Sequence, residues 1–298
     1  MDKADCGAAA PGRPKQGTAP SGGSAVRAAT SVGAISQWPA EAIWEAVAPD
    51  LPGFTVEVLA QIDSTNSELM RRARAGRLEP VLLVVAQQTA GRGRLGRQWF
   101  SGQETAAVSS LTFSLGLPLA PLDWSGLSLV VGLSLARSLH PELRLKWPND
   151  LWLHERKLGG ILIETANLSA TAATRYAVVG VGLNIFAREA EGLATPPAWL
   201  REVLPGIDAP QALWRVAAAL VKTIQAFEAG GFAPFQAGFN ELDALGGVPV
   251  TLSDGLSGTA LGVDRVGALK VQTAQGLKKI TSAEVSVRRL EPPPFDLL

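Results

Sequence analysis

The sequence predicts an α+β protein in two parts, a larger helix-and-strand domain and a small C-terminal barrel. Between residues 39 and 245, short apolar runs of strand length alternate with stretches of helical periodicity. From Gly246 the texture changes to five short strand candidates in about fifty residues, separated by Asp-Gly, Gly and polar turns. A chain of 298 residues suits one large and one small domain at roughly 100–200 residues each, and its 47% apolar content can fill a sizeable core.

The elements follow in order. Residues 1–38 form an Ala/Gly/Pro/Ser-rich tail without periodicity, expected to be disordered. The larger domain is expected over 39–245 and the barrel over 246–298. Ala42, Ile43 and Val47 have the spacing of a short helix, and 54–59 reads as a strand. Thr65-Asn66-Ser67-Glu68 matches a capping box with Thr65 as the cap, opening a helix that Gly76 ends. Residues 81–86 and 106–115 read as strands and 123–139 as a helix. Residues 144–147 and 157–165 read as strands joined through a turn at His154-Glu155-Arg156, and 176–185 as another buried strand. Helices are expected over 211–229 and 232–244; the first carries Leu213, Ala217, Leu220, Val221 and Ile224 on a core face. Strands at 248–252, 259–263, 268–272, 277–280 and 285–289 complete the barrel, and no internal repeat is evident.

Charge and composition exclude several classes. Lys+Arg and Asp+Glu are 27 each, which argues against a general nucleic-acid or membrane binder. One cysteine, Cys6, excludes an internal disulfide framework or a Cys-rich zinc site, and His140 and His154 are too few for a histidine metal centre. No signal-peptide core is visible in the first 38 residues, and the uncharged run 105–122 is broken by serines and prolines. A reduced, soluble, cytoplasmic protein is expected.

Four segments can carry chemistry. Gly91-Arg92-Gly93-Arg94-Leu95-Gly96-Arg97-Gln98-Trp99 formally satisfies G-x-G-x-x-G, but lacks the following helix and acidic residue of a dinucleotide site. It also lacks the Lys-Ser/Thr of a P-loop. What remains is a glycine loop with three arginines and no acid across 81–103: either a solvated basic turn or a loop for phosphate and carboxylate. Lys146-Trp147-Pro148-Asn149-Asp150 and Lys157-Leu158-Gly159-Gly160 place lysines beside apolar strands, where each either reaches out to water or meets an anion. Asp63-Ser64-Thr65-Asn66 is a helix start whose amides and hydroxyls also suit polar ligands. Gly180-Val181-Gly182-Leu183-Asn184 reads as a core strand, or as a surface on which a planar group can lie close to the backbone.

Together and in this order, these segments resemble the biotin–protein ligase family, over roughly residues 54–290. The resemblance implies a class II aminoacyl-tRNA synthetase-like mixed sheet with flanking helices, followed by an SH3-like β-barrel. It implies an ATP-dependent ligase that makes biotinyl-5'-adenylate and transfers biotin to a lysine of the carrier domain of acetyl-CoA carboxylase or a related carboxylase. Matched to the family's motifs, Ser64, Thr65, Asn66, Gln88, Arg92, Gly93, Arg94, Lys157 and Gly160 are expected at biotin. Arg92, Arg94, Trp99, Lys146, Asn149, Lys157, Asn184 and Trp199 are expected at ATP or the adenylate. Arg94, Lys157, Asp150 and Lys146 are the expected catalytic residues. Magnesium is expected with ATP, held largely by phosphates, with Asp150 as the one candidate protein ligand. The arginine loop is expected to fold over the adenylate and exclude water. The fold allows a homodimer through a sheet edge. Some relatives carry an N-terminal DNA-binding domain; only one short helix fits before Phe54, so no DNA partner is expected. The competing readings are a lipoate or octanoate ligase on a related fold and a non-enzymatic nucleotide- or nucleic-acid-binding module.

Overall fold

The computed structural model describes residues 38–101, 108–168, 173–187, 196–281 and 287–289. Apart from Trp38, which is buried in the core, the expected tail lies outside these residues, as do the starts of the strands expected at 106 and 285.

The element order is α1 (Ala40–Val47), β1 (Thr55–Ile62), α2 (Thr65–Arg74), β2 (Val81–Gln88), β3 (Ser110–Leu119), α3 (Leu127–Leu139), β4 (Arg144–Lys146), β5 (Asp150–Leu153), β6 (Arg156–Asn167), β7 (Arg175–Asn184), α4 (Ala209–Gly230) and α5 (Gln236–Leu242). The C-terminal part adds β8 (Pro249–Leu252), β9 (Ser257–Val263), β10 (Leu269–Thr273), β11 (Gly276–Ile280) and β12 (Val287–Arg289). The first seven strands form one mixed sheet in the order β1-β2-β3-β7-β6-β5-β4, parallel between β1 and β2 and antiparallel elsewhere. The last five form an antiparallel sheet in the order β11-β10-β9-β8-β12. Among the described residues, no helix is long and apolar enough to cross a membrane.

The two faces of the large sheet have separate cores. Successive strand residues alternate sides, so Leu82, Val84, Leu111, Phe113, Leu115, Val179 and Val181 pack with α1, α3 and α4. Val81, Leu83, Tyr176 and Val178 face the other way and pack on Leu69, Met70 and Ala73 of α2. α2 covers one end of that face only. Further along the same face, β3 offers Ser114, Thr112 and Ser110, directly opposite Gly180, Gly182 and Asn184 of β7.

Several elements differ from the sequence reading. The cap of α2 is Ser64, not Thr65: Ser64 is extended and accepts from the Ser67 N–H, whereas Thr65 is drawn into contacts with Gln88 and Ser114. α3 starts at Leu127 because Gly126 is left-handed (φ +84), and Asp123 caps the preceding turn at the Ser125 N–H. β5 was not foreseen; it pairs with β4 and β6, and His154 and Glu155, both at positive φ, make its two-residue turn into β6. The helix expected over 232–244 is a 3₁₀ turn around Pro234 followed by the short α5.

The C-terminal sheet shares its core with the large domain. Val250, Leu252, Ala260, Val263, Leu269, Val271 and Val287 belong to the same buried cluster as α3 and α4. Polar contacts cross the seam: the Trp147 indole N–H donates to the Gly267 carbonyl at 3.1 Å, and Gln236 donates to that of Val263 at 2.9 Å.

Asp243 lies at this seam. Its Oδ1 accepts from the Leu245 N–H at 2.9 Å, its Oδ2 is buried with no partner among the described residues, and burial pushes its pKa up to about 6. An unfolded carboxyl has the ordinary, lower value. Between those values the folded state keeps a proton that the unfolded chain has lost, so stability falls as the pH rises through about 6. Asp243→Asn keeps the acceptor and removes the charge. It is expected to stabilise the fold by on the order of 2 kcal/mol at pH 8 and to change little at pH 4. Equal denaturation midpoints for variant and parent at pH 8 would contradict this.

Candidate active site

The uncovered stretch of the sheet is the floor of a cavity of about 470 Å³, a size suited to a small-molecule ligand. Gly180 and Gly182 keep the floor low. A Cβ on Gly180 would run into the Asn66 side chain, and one on Gly182 into the Trp99 ring.

One end of the cavity is polar but neutral, built where α2 begins. Gln88 Oε1 accepts from the Thr65 backbone N–H at 2.8 Å and from its hydroxyl at 3.2 Å. The Ser114 hydroxyl lies 2.7 Å from Thr65 Oγ1 and 2.6 Å from Asn66 Oδ1. Asn66 Nδ2 donates to the Leu162 carbonyl at 3.2 Å and to Glu164 at 2.9 Å. Ser64, Thr65, Asn66, Gln88 and Ser114 are all buried, so this network orients its amides and hydroxyls without water.

Next along the floor the cavity is cationic. The arginine loop is a small hairpin: the Gly93 N–H donates to the Arg97 carbonyl at 2.7 Å and the Trp99 N–H to that of Gly91 at 2.9 Å. Its tip, Arg94–Gly96, is a 3₁₀ turn with Leu95 and Gly96 at positive φ. Arg92 pairs with Glu164. Arg94 Nη1 donates to Asn149 Oδ1 at 2.8 Å, and its Nη2 is buried with no partner among the described residues. Burial pulls the Arg94 pKa below its ordinary value, so this guanidinium favours an anion nearby. Lys157 Nζ is 2.7 Å from Asp150 Oδ1, and a Cβ on Gly160 would sit 3.4 Å from Nζ. Lys146 Nζ stands 4.3 Å over the Trp152 ring. Burial lowers its pKa first, the charges of Lys157, Arg289 and Arg288 lower it further, and Asp150 opposes them. Among the described lining residues, Arg92, Arg94, Arg97, Lys146, Arg156 and Lys157 face Asp150 and Glu155.

Past the cationic groups, beyond Gly182 on β7, lies Asn184, 2% exposed, whose Nδ2 donates to the Ala198 carbonyl at 2.9 Å and whose Oδ1 is buried with no partner among the described residues. The arrangement presents a neutral hydrogen-bonding pocket, a field for two anions and a free carbonyl acceptor along one floor.

Comparison with known proteins assigns this architecture. The family model of the Biotin/lipoate A/B protein ligase family matches residues 58–184, the span from β1 to β7. That of the biotin protein ligase C-terminal domain matches 246–288. The bifunctional ligase/repressor BirA of Escherichia coli is 36% identical over 253 residues, 81% of this chain and 76% of that protein. The chain belongs to the biotin protein ligase family. A biotin–[acetyl-CoA-carboxylase] ligase of Paracoccus denitrificans is 30% identical over 76% of this chain and 98% of its own length. The biotin protein ligase of Aquifex aeolicus, solved in complex with biotin and ATP, superposes with a TM-score of 0.67 at 28% identity, covering 79% of this chain and 99% of that one.

Of the residues the family's motifs point to, Ser64, Thr65, Asn66, Gln88, Arg92, Gly93, Arg94, Trp99, Lys146, Asn149, Asp150, Lys157, Gly160 and Asn184 all line the cavity. Trp199, expected at adenine, is not among its lining residues: its N–H is bonded to Glu202 at 3.0 Å and its ring stacks with the Arg156 guanidinium, which itself pairs with Glu202. Pro196 and Pro197 line the cavity there instead. Sequence reasoning missed Thr112, Trp152 and Val287 in the lining and Ser114 and Glu164 behind it. The first and fourth had a signal: serines and a threonine alternate with Leu111, Phe113 and Leu115 along β3, which marks a polar face on a buried strand.

Proposed function

We propose that this protein activates biotin with ATP and transfers it to a lysine of a biotin carboxyl carrier domain. The observation that carries the reading is the order of groups along one floor. Thr65, Asn66 and Gln88 suit the donors and carbonyl of a ureido head group. Arg92, Arg94, Lys146 and Lys157 suit a carboxylate brought against phosphates. The free Oδ1 of Asn184 suits the exocyclic amine of adenine.

In the first step a biotin carboxylate oxygen attacks the α-phosphorus of ATP and pyrophosphate leaves. Lys157 and Arg94 neutralise the two anions as they approach, and Asp150 holds Lys157 in place. In the second step the carrier lysine's neutral amine attacks the acyl carbon, AMP leaves, and an amide and a proton result. Asp150 is the carboxylate placed among these cations, and among the described residues no group of three His, Cys, Asp or Glu gathers as a metal site. A magnesium ion would arrive with ATP and be held largely by its phosphates, neutralising charge on them, with Asp150 as the candidate protein ligand. The large domain is read as class II synthetase-like and the C-terminal sheet as SH3-like.

The test is the intact mass of an apo carrier domain after incubation with this protein, ATP, Mg²⁺ and biotin, with lipoate in a parallel reaction. A biotin-sized gain on one lysine, absent with lipoate, is the expected result. Modification with lipoate alone would move the chain to the lipoate branch of the family. No gain with either compound, on a carrier domain that another ligase modifies, would reject the ligase reading.

A further inference from the structure

The arginine loop borders two cavities. Arg92, Gly93, Arg94 and Leu95 line the ligand cavity and also a second one, of about 590 Å³. Glu164 lines the second cavity and not the first. From there its carboxylate touches both the loop and the neutral pocket: the same Oε2 receives the Arg92 guanidinium and the Asn66 amide, the latter at 2.9 Å. The chain of contacts runs Gln88, Thr65, Ser114, Asn66, Glu164, Arg92.

The loop needs such a hold. Its hairpin is short, Leu95 is left-handed (φ +57) without being glycine, and Leu95 and Phe100 are 55% and 66% exposed. Trp99 at its base lies against Gly182 of the floor, whereas the tip at Leu95 buries little apolar surface of its own. The Arg92–Glu164 pair and the Arg94–Asn149 bond are side-chain ties from it to the sheet. Glu164 itself is fixed by its place in β6, paired opposite Val178.

We infer that Glu164 is a positioning residue that straps the arginine loop over the ligand cavity and links the loop to the floor of the neutral pocket. It contacts neither reacting group. Its effect is to keep the loop closed, and, resting on the ligase reading, to slow escape of the acyl adenylate. A half-exposed ion pair supports a change of about fivefold in an opening equilibrium, no more.

Two measurements test this. The first is hydrogen exchange of residues 91–99 in the protein without substrates, where the Gly93 and Trp99 amides are hydrogen-bonded. Exchange there is expected to rise about fivefold in Glu164→Gln, with the rest of the sheet unchanged. The same rise is expected in the parent protein on going from 0.05 to 1 M salt, which screens the pair. Glu164→Gln should lose that salt response, and Glu164→Asp should retain part of it. Loop exchange that ignores both the substitution and salt would overturn the inference. The second measurement is the half-life of protein-bound adenylate, expected to shorten about fivefold in Glu164→Gln at an unchanged denaturation midpoint. An unchanged half-life would remove the functional role of the strap. Failure of the parent protein to form adenylate would reject the ligase reading, while the exchange result would still decide whether Glu164 holds the loop.

Discussion

Lys157→Ala is expected to lower kcat/KM for biotin-dependent pyrophosphate release by about 10³, through two additive losses. The first is the cation itself. Nζ is held 2.7 Å from Asp150 and close over Gly160, so in the proposed reaction it is preorganised where the two anions meet. Removing one such donor costs roughly 10²–10³ in rate. The second is the charge left behind. Without Lys157, the Asp150 carboxylate faces the same place unpaired and repels both substrates. The double variant Lys157→Ala with Asp150→Asn should therefore be more active than Lys157→Ala alone. Lys157→Arg should recover little, because a planar fork does not fit over Gly160 as a point charge does. Isotope exchange between pyrophosphate and ATP measures the first step without the carrier domain. A loss below tenfold in Lys157→Ala would remove this lysine from the reaction.

Gly180→Ala should act at the opposite end. The new methyl would run into the Asn66 side chain. The floor cannot sink to make room, since Val179 and Val181 on either side are packed in the core. Asn66 must then swing away, losing its contacts to Ser114, the Leu162 carbonyl and Glu164. Disrupting a buried polar network costs about 1–3 kcal/mol. The KM for biotin should rise roughly fiftyfold. The KM for ATP should move far less, because Asn184 lies four residues along the strand. Gly182→Ala makes a useful contrast: its methyl meets Trp99 and so disturbs the arginine loop rather than the neutral pocket. A biotin KM within threefold of the parent in Gly180→Ala would show that Asn66 has room to adjust.

Much of this site was legible because glycine, arginine and lysine sit where an ordinary core strand would not have them. The loop 91–99 and the segments from Lys146 and Lys157 stood out as charge and flexibility bordering apolar runs, and the structure brings all three to one cavity. What was not legible depended on direction and on distant partners. β5 was hidden because Pro148-Asn149-Asp150 is turn chemistry, yet the chain resumes a strand at Asp150 itself. The cap of α2 shifted from Thr65 to Ser64 because Gln88, 23 residues away, takes the Thr65 hydroxyl and amide. Trp199 does not line the cavity, and nothing local in the sequence says that Arg156 lies over its ring while Glu202 takes its backbone N–H. Glu164 ends an apolar run, Ile161-Leu162-Ile163; a lone acid on that strand was a signal that went unread.

The excess of cations around the cavity has a consequence for the acceptor. A field that gathers carboxylate and phosphate pushes away an ammonium ion. At neutral pH nearly every free lysine side chain is an ammonium ion, with a pKa near 10.4. Free lysine and lysines on chance surfaces are thus turned back by the same charges that make the activated acyl group. In the proposed transfer, a carrier lysine would be delivered by the docking of its whole domain, which offsets the repulsion and lets the neutral amine reach the acyl carbon. On this view the charges at the mouth of the cavity turn back every lysine that arrives without such docking, and the discrimination between acceptors rests on the contacts that dock the carrier domain.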